Sequence, residues 1–346
     1  MKHVLVIRLS ALGDVAIMAP LVQHYAAANP GVHFTIAAPP LLEPLFEGVT
    51  NVSFLGVKKK QNFFNIYHVL EKVGADTVID LHKVNRVGYA LTLMRLRHLL
   101  DFRFRIYSLH KGRFSRWLFL HHWSRRPRRS QYDRYEDVFR RAGLYVKEET
   151  GMRKHPESDS LASCSQPSNF NLAIGIAPFA QHAGKIWPFE NTCRLVELLA
   201  AAGYSIFLFG SREEAPQLEK LAARHQCVTS LAGRHTFKEE LAIIRNLTLM
   251  VSMDSANMHF ASAVGTPVVS IWGATHPDFG FYGHGQPRDN ALCADLPCQP
   301  CSAYGKRPCR YGNYRCLSAI SPNMVFDRVV SVVSLQQNSL TGNNMI

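Results

Sequence analysis

The sequence predicts an α/β protein with two doubly wound domains, each a parallel β-sheet with helices on both faces. The chain has 346 residues, enough for two domains of ordinary size. Short apolar runs alternate with helical patterns in two separate series. Residues 156–169, a polar stretch bracketed by charge and proline, separate the series and are the best linker candidate. We therefore expect an N-terminal domain over residues 1–160 and a C-terminal domain over residues 170–336.

The first series supplies four strands, each a short apolar run. They are predicted at residues 4–7, 34–38, 52–57 and 77–81. Helical spacing covers residues 16–28 and stops before Gly31, a residue type common at helix ends. From residue 86 to residue 141 the pattern is mainly helical.

The second series repeats this alternation. Strands are predicted at residues 172–177, 205–209, 249–252 and 268–272. Helices are predicted at residues 193–201, 216–224, 237–246 and 256–264. The tail after Gln336 is polar, and we expect it to be frayed. Because ligands bind outside the carboxyl ends of parallel strands, the residues directly after strands are the candidates for function.

Composition predicts a cytosolic protein. The chain contains no run of 18 or more apolar residues, so no membrane-spanning helix is expected. Residues 1–8 hold too few apolar residues for a signal peptide and fit a first strand better. Without export, the eight cysteines should stay mostly reduced.

Positive charge is concentrated in one segment. The formal net charge is +13, and residues 95–141 contain 14 Lys and Arg against 4 Asp and Glu, a balance of +10. Aromatic residues are interleaved there: Phe102, Phe104, Tyr107, Phe114, Trp117, Phe119 and Trp123. Such a surface suits anionic lipid headgroups or a polyanionic acceptor. A solvated basic face is one alternative, and nucleic-acid binding is a less favoured one.

The first candidate site follows the first strand, in the sequence RLSALGD at residues 8–14. Gly13 permits a tight turn there. Asp14 then lies near a helix N-terminus, where aspartate is a common cap. The same carboxylate is also placed to accept a proton from a hydroxyl group. Both interpretations can hold together.

Two loops of the second series suit a nucleotide. Lys185 follows a glycine in a loop after a strand, where an ammonium group and backbone N–H groups can face a phosphate. The loop lacks the Walker A pattern, and an ordinary exposed lysine is the alternative. Another strand ends in Gly210 and Ser211, followed by Glu213 and Glu214. Either glutamate could hydrogen-bond ribose hydroxyls or simply stabilise a helix N-terminus.

The most specific segment joins a strand to a short helix. Asp254 or Ser255 caps the helix, Ala256 follows, and His259 lies about one turn further on. A helix start rich in small residues lets a diphosphate approach the backbone N–H groups closely. A lone helical histidine is usually structural, but His259 gains weight from its neighbours.

Four late cysteines form a low-ranking zinc candidate. Their pattern is Cys298-x2-Cys301-x7-Cys309-x6-Cys316, with Cys293 nearby. Four thiolates can hold tetrahedral zinc. Only one Cys-x2-Cys pair is present, so reduced thiols without a metal are the default expectation.

Taken together, these segments resemble glycosyltransferase family 9, the ADP-heptose:lipopolysaccharide heptosyltransferases. The resemblance rests on RLSALGD at residues 8–14, GKIWP at 184–188, MDSANMHFASAVGTPVVSIWGATHP at 253–277 and RCLSAISPNMV at 315–325. It runs from residue 1 to about residue 330 and is patchiest from about 85 to 170. Several motifs in a fixed order are far more specific than any one of them.

The resemblance implies a GT-B fold, with two Rossmann-like domains facing across a cleft, the acceptor on the first domain and the nucleotide-sugar on the second. It implies inverting transfer from an ADP-sugar to an anionic lipid A-core acceptor at the cytoplasmic membrane surface, without a required metal or cofactor. Asp14 would be the general base, and Lys185 would neutralise the leaving diphosphate. The expected donor-binding residues are Gly210, Ser211, Glu214, Asp254, Ser255, Ala256 and His259. The expected acceptor-binding residues are Gly13, Arg103, Arg105, Lys111 and Arg113.

Two departures from the family pattern concern the donor. Ala256 stands where the family commonly has glycine, and its methyl group could crowd a phosphate. Phe179 and Ala180 replace hydroxyl or glycine residues before Lys185. A non-catalytic nucleotide-sugar or polyanion-binding protein of the same fold is therefore one alternative function. Nucleic-acid binding through residues 95–141 is the other.

Overall fold

The computed structural model describes residues 2–58, 60–124, 126–146 and 172–342. These residues form two compact units. The first contains the described residues up to 112 and those from 129 to 146, and the second contains residues 113–128 and everything from 172 onward. The predicted linker, residues 156–169, lies outside the described residues.

The first unit is built on a parallel sheet of five strands in the order β3-β2-β1-β4-β5. The strands are β1 Lys2–Ile7, β2 Val32–Ala38, β3 Val52–Gly56, β4 Thr77–Asp80 and β5 Arg105–Ser108. The helices of this unit are α1 Leu12–Ala28, α2 Phe63–Glu71, α3 Asn85–Arg97 and α5 Gln131–Arg141. The strand order reverses between β1 and β4, so a crevice is expected at the carboxyl ends of these two strands.

The second unit has a parallel sheet of six strands in the order β11-β10-β9-β6-β7-β8. The strands are β6 Ala173–Ala177, β7 Ser205–Leu208, β8 Val228–Ser230, β9 Leu249–Met253, β10 Val268–Trp272 and β11 Ala291–Cys293. The helices are α4 Arg113–Leu120, α6 Phe189–Ala201, α7 Ala215–Ala222, α8 Phe237–Asn246, α9 Ala256–Ala263, α10 Arg315–Ser318 and α11 Pro322–Gly342. Here the order reverses between β6 and β9.

Helix α4 belongs to the second unit, although the sequence prediction included it in an N-terminal domain over residues 1–160. The buried ring of Phe119 packs against Phe279 with ring centroids 5.0 Å apart. The backbone N–H of Arg128 donates to the carbonyl of Asp278 at 2.9 Å. The apolar face of α4 therefore packs against residues far along the chain, and the local sequence of α4 does not reveal this contact.

The eight predicted strands and five predicted helices of the two series are all present, with ends that differ by a few residues. Strand β5 lies within the region predicted to be mainly helical, and neither β8 nor the three-residue strand β11 was predicted. β5 has no fully buried residue and β8 has three residues, so neither gives a strong apolar run. Helix α11 continues past Gln336 to Gly342, and the expected fraying of the tail stays a prediction, since residues 343–346 lie outside the described residues.

Among the described residues, no helix combines the length and the apolar character needed to span a bilayer.

Close backbone packing at Gly273 predicts a sharp effect of an added methyl group. A Cβ at Gly273 would lie 2.5 Å from the carbonyl oxygen of Gly184 and 2.6 Å from Cγ of Leu317. Gly273→Ala should therefore lower the free energy of unfolding by about 1–3 kcal/mol, measured by urea denaturation. Gly88→Ala is the control, since Gly88 lies inside α3 with nothing within 4 Å of an added Cβ.

Gly88→Ala should raise the free energy of unfolding by roughly 0.5–1 kcal/mol, because alanine loses less backbone entropy than glycine when a helix forms. Equal effects of the two variants would contradict this account of Gly273.

Candidate functional site

A buried ion pair joins the two strands at the switch point of the second sheet. Lys185 ends a 3-10 turn, Ala183–Lys185, after β6, and Asp254 directly follows β9. The Lys185 ammonium nitrogen lies 2.7 Å from Oδ2 of Asp254, and the side chains are 17% and 7% exposed. The hydroxyl of Thr275 donates to the same carboxylate oxygen at 2.7 Å. Two of the sequence-predicted residues are thus brought into contact, and the charge of each is compensated.

Glycines let three loops approach each other around Lys185. The backbone N–H of Ala274 donates to the carbonyl of Gly184 at 2.7 Å. A Cβ at Gly305, whose φ is +74°, would lie 2.7 Å from Cγ of Lys185. The side-chain amide of Gln299 donates to the carbonyl of Gly273 at 2.6 Å. The lysine side chain is therefore held by backbone packing as well as by its ion pair.

Helix α9 begins directly beside this pair. Ser255 is the residue before the helix, in an extended conformation, and Ala256 is the first helical residue. The hydroxyl of Ser255 lies 3.2 Å from that of Ser252, and Ser255 does not cap the helix with its side chain. His259 is buried within the helix at 7% exposure. Since the first N–H groups of a helix lack intrahelical partners, this end offers donors and positive potential to an anion.

The loop after β7 holds the next group of predicted donor residues. The backbone N–H of Ser211 donates to Oε2 of Glu214 at 2.7 Å. A Cβ at Gly210 would lie 2.7 Å from Cδ1 of Leu218, so a larger residue would displace the buried Leu218 side chain. Hydrogen bonds from its own backbone N–H and from Ser211 lower the pKa of the exposed Glu213. Glu214 therefore already stabilises its own turn, as the structural alternative predicted.

In the first unit, Asp14 lies in the first turn of α1, after the carboxyl end of β1. Its carboxylate accepts a hydrogen bond from the backbone N–H of Ala11 at 3.3 Å and forms an ion pair with Arg8. Gly13 is the preceding residue of the same turn. Asp14 thus supports the helix start, and the guanidinium group fixes the carboxylate.

Arg8 and His82 are site residues that sequence reasoning missed. Arg8 is 8% exposed, donates to the carbonyl of Leu81 at 2.5 Å and lies over the ring of Tyr135 at 5.8 Å. His82 follows β4, and its Nε2 lies 3.1 Å from the hydroxyl of Ser10. The position of each residue in the sequence could have identified it. Arg8 is the first residue of the RLSALGD segment, and His82 follows a strand at the switch point.

Burial keeps His82 neutral and makes it a poor base. Burial, followed by the charges of Arg8 and Lys111, lowers the pKa of His82 to about 3. Nearby, burial raises the pKa of Asp80, although this carboxylate accepts backbone hydrogen bonds from His82 and Lys83. A general base works best with a pKa near the working pH. His82 is therefore not well suited to act as a general base.

The predicted acceptor-binding cations do not form one cluster. Arg103 and Arg105 lie at the amino end of β5, whereas Asp14 lies beyond the carboxyl end of the parallel strand β1. Lys111 follows the carboxyl end of β5 and acts electrostatically on His82. Arg113 begins α4 in the second unit. Of these four, only Lys111 shares the edge of the first sheet that carries Asp14.

The four cysteines of the zinc candidate lie near enough to affect one another's pKa, but their sulfur atoms do not converge on one point. In the described part of the chain, no three of Cys298, Cys301, Cys309 and Cys316 place their sulfur atoms within 4.8 Å of one another. Backbone N–H groups of residues 311–314 lower the pKa of Cys309, whereas burial raises the pKa of Cys316 to about 11. The zinc site therefore stays a prediction.

A different group with metal-ligand chemistry does come together, namely His276, Cys293 and Asp295. Nδ1 of His276 accepts a hydrogen bond from the backbone N–H of Asp278 at 3.2 Å, and Nε2 lies 3.3 Å from Oδ1 of Asp295. This arrangement leaves the proton on Nε2, where it points to Asp295. Burial raises the pKa of Cys293 to about 12. The group is thus a hydrogen-bonded set with a protonated thiol.

A family model described as glycosyltransferase family 9 (heptosyltransferase) matches residues 68–314, more than half of the chain. The chain belongs to glycosyltransferase family 9. This confirms the family that the sequence motifs resemble, and the enzyme class predicted for the chain, a glycosyltransferase, is that of the family.

Relatives in the family are lipopolysaccharide enzymes. Lipooligosaccharide heptosyltransferase 2 of Haemophilus influenzae is 35% identical over 113 residues, which are 31% of this chain and 32% of that protein. The lipopolysaccharide core heptosyltransferase OpsX of the same species is 23% identical over 286 residues, or 80% of each chain. The match thus spans about a third of the first relative and most of the second.

The fold is shared with a solved family structure. Escherichia coli heptosyltransferase WaaC with ADP-2-deoxy-2-fluoro heptose has a TM-score of 0.64 and 17% identity, covering 95% of this chain and 99% of that chain. The predicted GT-B class, with two Rossmann-like doubly wound domains, is confirmed by this likeness and by the two parallel sheets.

The lowered pKa of His82 predicts a pH dependence of stability. His82 takes up a proton near pH 6.5 in the unfolded state but only near pH 3 in the folded state. The stability that neutral His82 contributes is therefore fully present above pH 6.5 and is lost as the pH falls toward 3. When the pH is lowered from 7 to 5, the free energy of unfolding of the wild-type family 9 enzyme should fall by about 2 kcal/mol more than that of the His82→Gln variant.

Urea denaturation at the two pH values measures this difference. Equal losses in the two proteins would show that His82 is not held neutral in the folded state.

Proposed function

We propose that this family 9 enzyme transfers heptose, or a related sugar, from an ADP-sugar to a lipopolysaccharide inner-core acceptor. The observation that carries the proposal is the Lys185–Asp254 ion pair beside the start of α9, at the switch point of the second sheet. A fixed cation and a helix N-terminus at such a point suit a diphosphate. The relatives are heptosyltransferases of the lipopolysaccharide and lipooligosaccharide core.

On the donor side, Lys185 stabilises the leaving group. An ammonium group has three N–H donors, and the contact with Asp254 uses one of them. The remaining donors and the first N–H groups of α9 face the diphosphate, whose negative charge increases as the sugar leaves. Because this charge is larger in the transition state than in the bound donor, the interaction accelerates transfer as well as binding the donor.

Asp254 therefore positions Lys185 and does not itself bind a phosphate. Its carboxylate is occupied by the lysine and by Thr275, which also keeps its negative charge compensated beside an anionic donor. Ala256 adds one methyl group at the helix start, so the donor phosphate must approach the N–H groups at a slightly greater distance than it would beside glycine.

On the acceptor side, Asp14 is the general base. Its carboxylate takes the proton from the acceptor hydroxyl as the hydroxyl oxygen bonds to the anomeric carbon, and the bond from that carbon to the diphosphate oxygen breaks. ADP leaves with the electron pair of that bond, and the single displacement inverts the anomeric centre. Arg8 orients the carboxylate through their ion pair. Because Lys185 and α9 supply the positive charge at the leaving group, no step requires a metal ion.

The proposed acceptor is an anionic, lipid-linked sugar, so the enzyme would act at the cytoplasmic face of a membrane. Lys111 is the cation of the predicted acceptor set that lies at the Asp14 edge of the first sheet, where it can pair with an acidic acceptor group. Nucleic acid is not favoured, because the predicted basic segment is divided between the two units and between two edges of one sheet.

The base assignment predicts a selective loss of turnover. Asp14→Asn should reduce turnover with a lipid A-core acceptor by about 10²–10⁴-fold, because the amide cannot accept the proton. Calorimetric titration with ADP-heptose should give an unchanged affinity, while UDP-glucose and GDP-mannose should not bind.

The control is Asp133→Asn, because Asp133 occupies the same position in the first turn of α5 and accepts the backbone N–H of Ser130 at 3.2 Å. It should keep full turnover. Unchanged turnover of Asp14→Asn would show that Asp14 is not the base, whereas ADP-heptose binding without any turnover by the wild-type chain would favour a donor-binding protein of the same fold.

The donor-site assignment predicts a graded series. Lys185→Gln should lower kcat by about 10²–10³-fold and weaken ADP-heptose binding, because the diphosphate loses its fixed cation. Asp254→Asn should have a smaller effect on kcat, roughly tenfold, because Lys185 keeps its charge and loses only its anchor.

Lys220→Gln, at an exposed position of α7, is the control and should behave as wild type. If Asp254→Asn lowers kcat more than Lys185→Gln, the positioning role of Asp254 is wrong.

A further inference from the structure

The turn between α3 and β5 exposes an unusual amount of apolar surface. Leu96, Leu99, Leu100 and Phe102 are 61%, 69%, 86% and 81% exposed. Single exposed apolar side chains are common on protein surfaces, but four large ones within seven residues form a patch. Residues 95–105, which contain this patch, are called the apolar turn below.

The apolar turn has fixed internal contacts that direct these side chains outward. Phe104 is 8% exposed and packs in the core of the first unit, and the ring of His98 stacks on it with centroids 4.6 Å apart. Nε2 of His98 lies 3.0 Å from the carboxylate of Glu71 on α2. The backbone N–H of Asp101 donates to the carbonyl of His98 at 3.0 Å. The exposure is thus a property of an ordered turn.

Arginines surround the apolar side chains. Arg95, Arg97, Arg103 and Arg105 are all exposed, and Asp101 is the one acidic residue of the turn. Asp101 pairs with Arg103 at 3.4 Å, and Arg97 pairs with Glu71 at 3.0 Å. Apolar residues at a tip with arginines around it match a bilayer of anionic lipids, where the side chains enter the acyl boundary and the guanidinium groups stay at the phosphates.

The location of the apolar turn fits an anchor. Leu99, Leu100 and Phe102 precede the amino end of β5, at the edge of the first sheet opposite to the carboxyl ends that carry Asp14 and His82. Strands of four to six residues separate these edges by roughly 15–20 Å. A turn at one edge can therefore enter lipid while Asp14 stays above the headgroups, at the height of a sugar carried on a lipid.

We propose that the apolar turn inserts into the surface of an anionic phospholipid bilayer and holds the enzyme there. The proposal deepens the proposed function, because it rests on a lipid-linked acceptor and identifies the element that brings the enzyme to it. The arginines favour phosphatidylglycerol over neutral lipids, and the leucines and the phenylalanine supply binding that salt does not screen.

Flotation with vesicles that contain no acceptor tests the proposal directly. The full chain should float with phosphatidylglycerol–phosphatidylethanolamine vesicles and bind phosphatidylcholine vesicles at least tenfold more weakly. Leu100→Asp should reduce partitioning into the anionic vesicles by about tenfold or more, since a charge replaces the leucine that would enter the acyl region of the bilayer. The matched control is Leu335→Asp, at a leucine of α11 that is 67% exposed, and it should bind as wild type.

A second measurement locates the turn in the lipid. In Leu100→Trp, brominated lipids should quench more fluorescence than in the wild-type chain, which has four tryptophans of its own. Equal vesicle binding of wild type and Leu100→Asp, an equal loss in Leu335→Asp, or binding only when the vesicles contain the acceptor would each overturn the proposal. Wild-type chain captured by a protein partner or by RNA, without vesicle binding, would do the same.

Failure of this proposal is distinguishable from failure of the proposed function. Leu100→Asp should keep wild-type turnover with an acceptor in detergent micelles, and it should show a raised KM with the same acceptor in vesicles. If neither protein turns over in micelles, the glycosyl-transfer assignment fails while the vesicle result stands. If both turn over equally in micelles and in vesicles, the apolar turn has no role at the membrane.

Discussion

The second unit depends on one interaction, the buried pair of Lys185 and Asp254. Removing two charges from water costs several kcal/mol for each ion, and a single contact seldom offsets this cost. Here Thr275 supplies a further hydrogen bond to the carboxylate, and close glycine packing holds the backbone on either side. The pair joins the loops after β6 and β9, where the strand order reverses. The fold thus places a fixed cation at the switch point, the position where open parallel sheets generally bind ligands.

The first unit uses the same plan with the charges exchanged. In the second unit the acid Asp254 fixes the cation Lys185, whereas in the first unit the buried cation Arg8 fixes the acid Asp14. Both pairs lie at the carboxyl ends of the strands that flank a switch point. In each unit the charge assigned to the proposed reaction is held by a partner with its own hydrogen bonds, an arrangement that would need little reorganisation on substrate binding.

Sequence predicts well what depends on local pattern. The strands of both sheets are apolar runs, and the placement of Asp14, Lys185 and Asp254 after strands follows from those runs. Contacts between distant segments were not predictable: the ion pair between Lys185 and Asp254 joins residues 69 apart in the chain. The same holds for the burial of His82, which lowers its pKa and decides against it as a base. Strand β5 was not predicted because it has only four residues, which include a charged and an aromatic side chain and form no apolar run.

The basic segment shows that a count of charges does not predict where the charged side chains lie in the fold. As a sequence, residues 95–141 form one region of net charge +10 and suggest one binding surface. In the structure, the first part is an apolar turn at the amino edge of the first sheet, Lys111 lies at the carboxyl edge, and α4 packs on the second unit through Phe119. The basic segment is thus divided between two edges of the first sheet and a helix of the second unit. Net charge predicts an affinity for anions, but the direction of the strands decides which cationic side chains can bind the same anion.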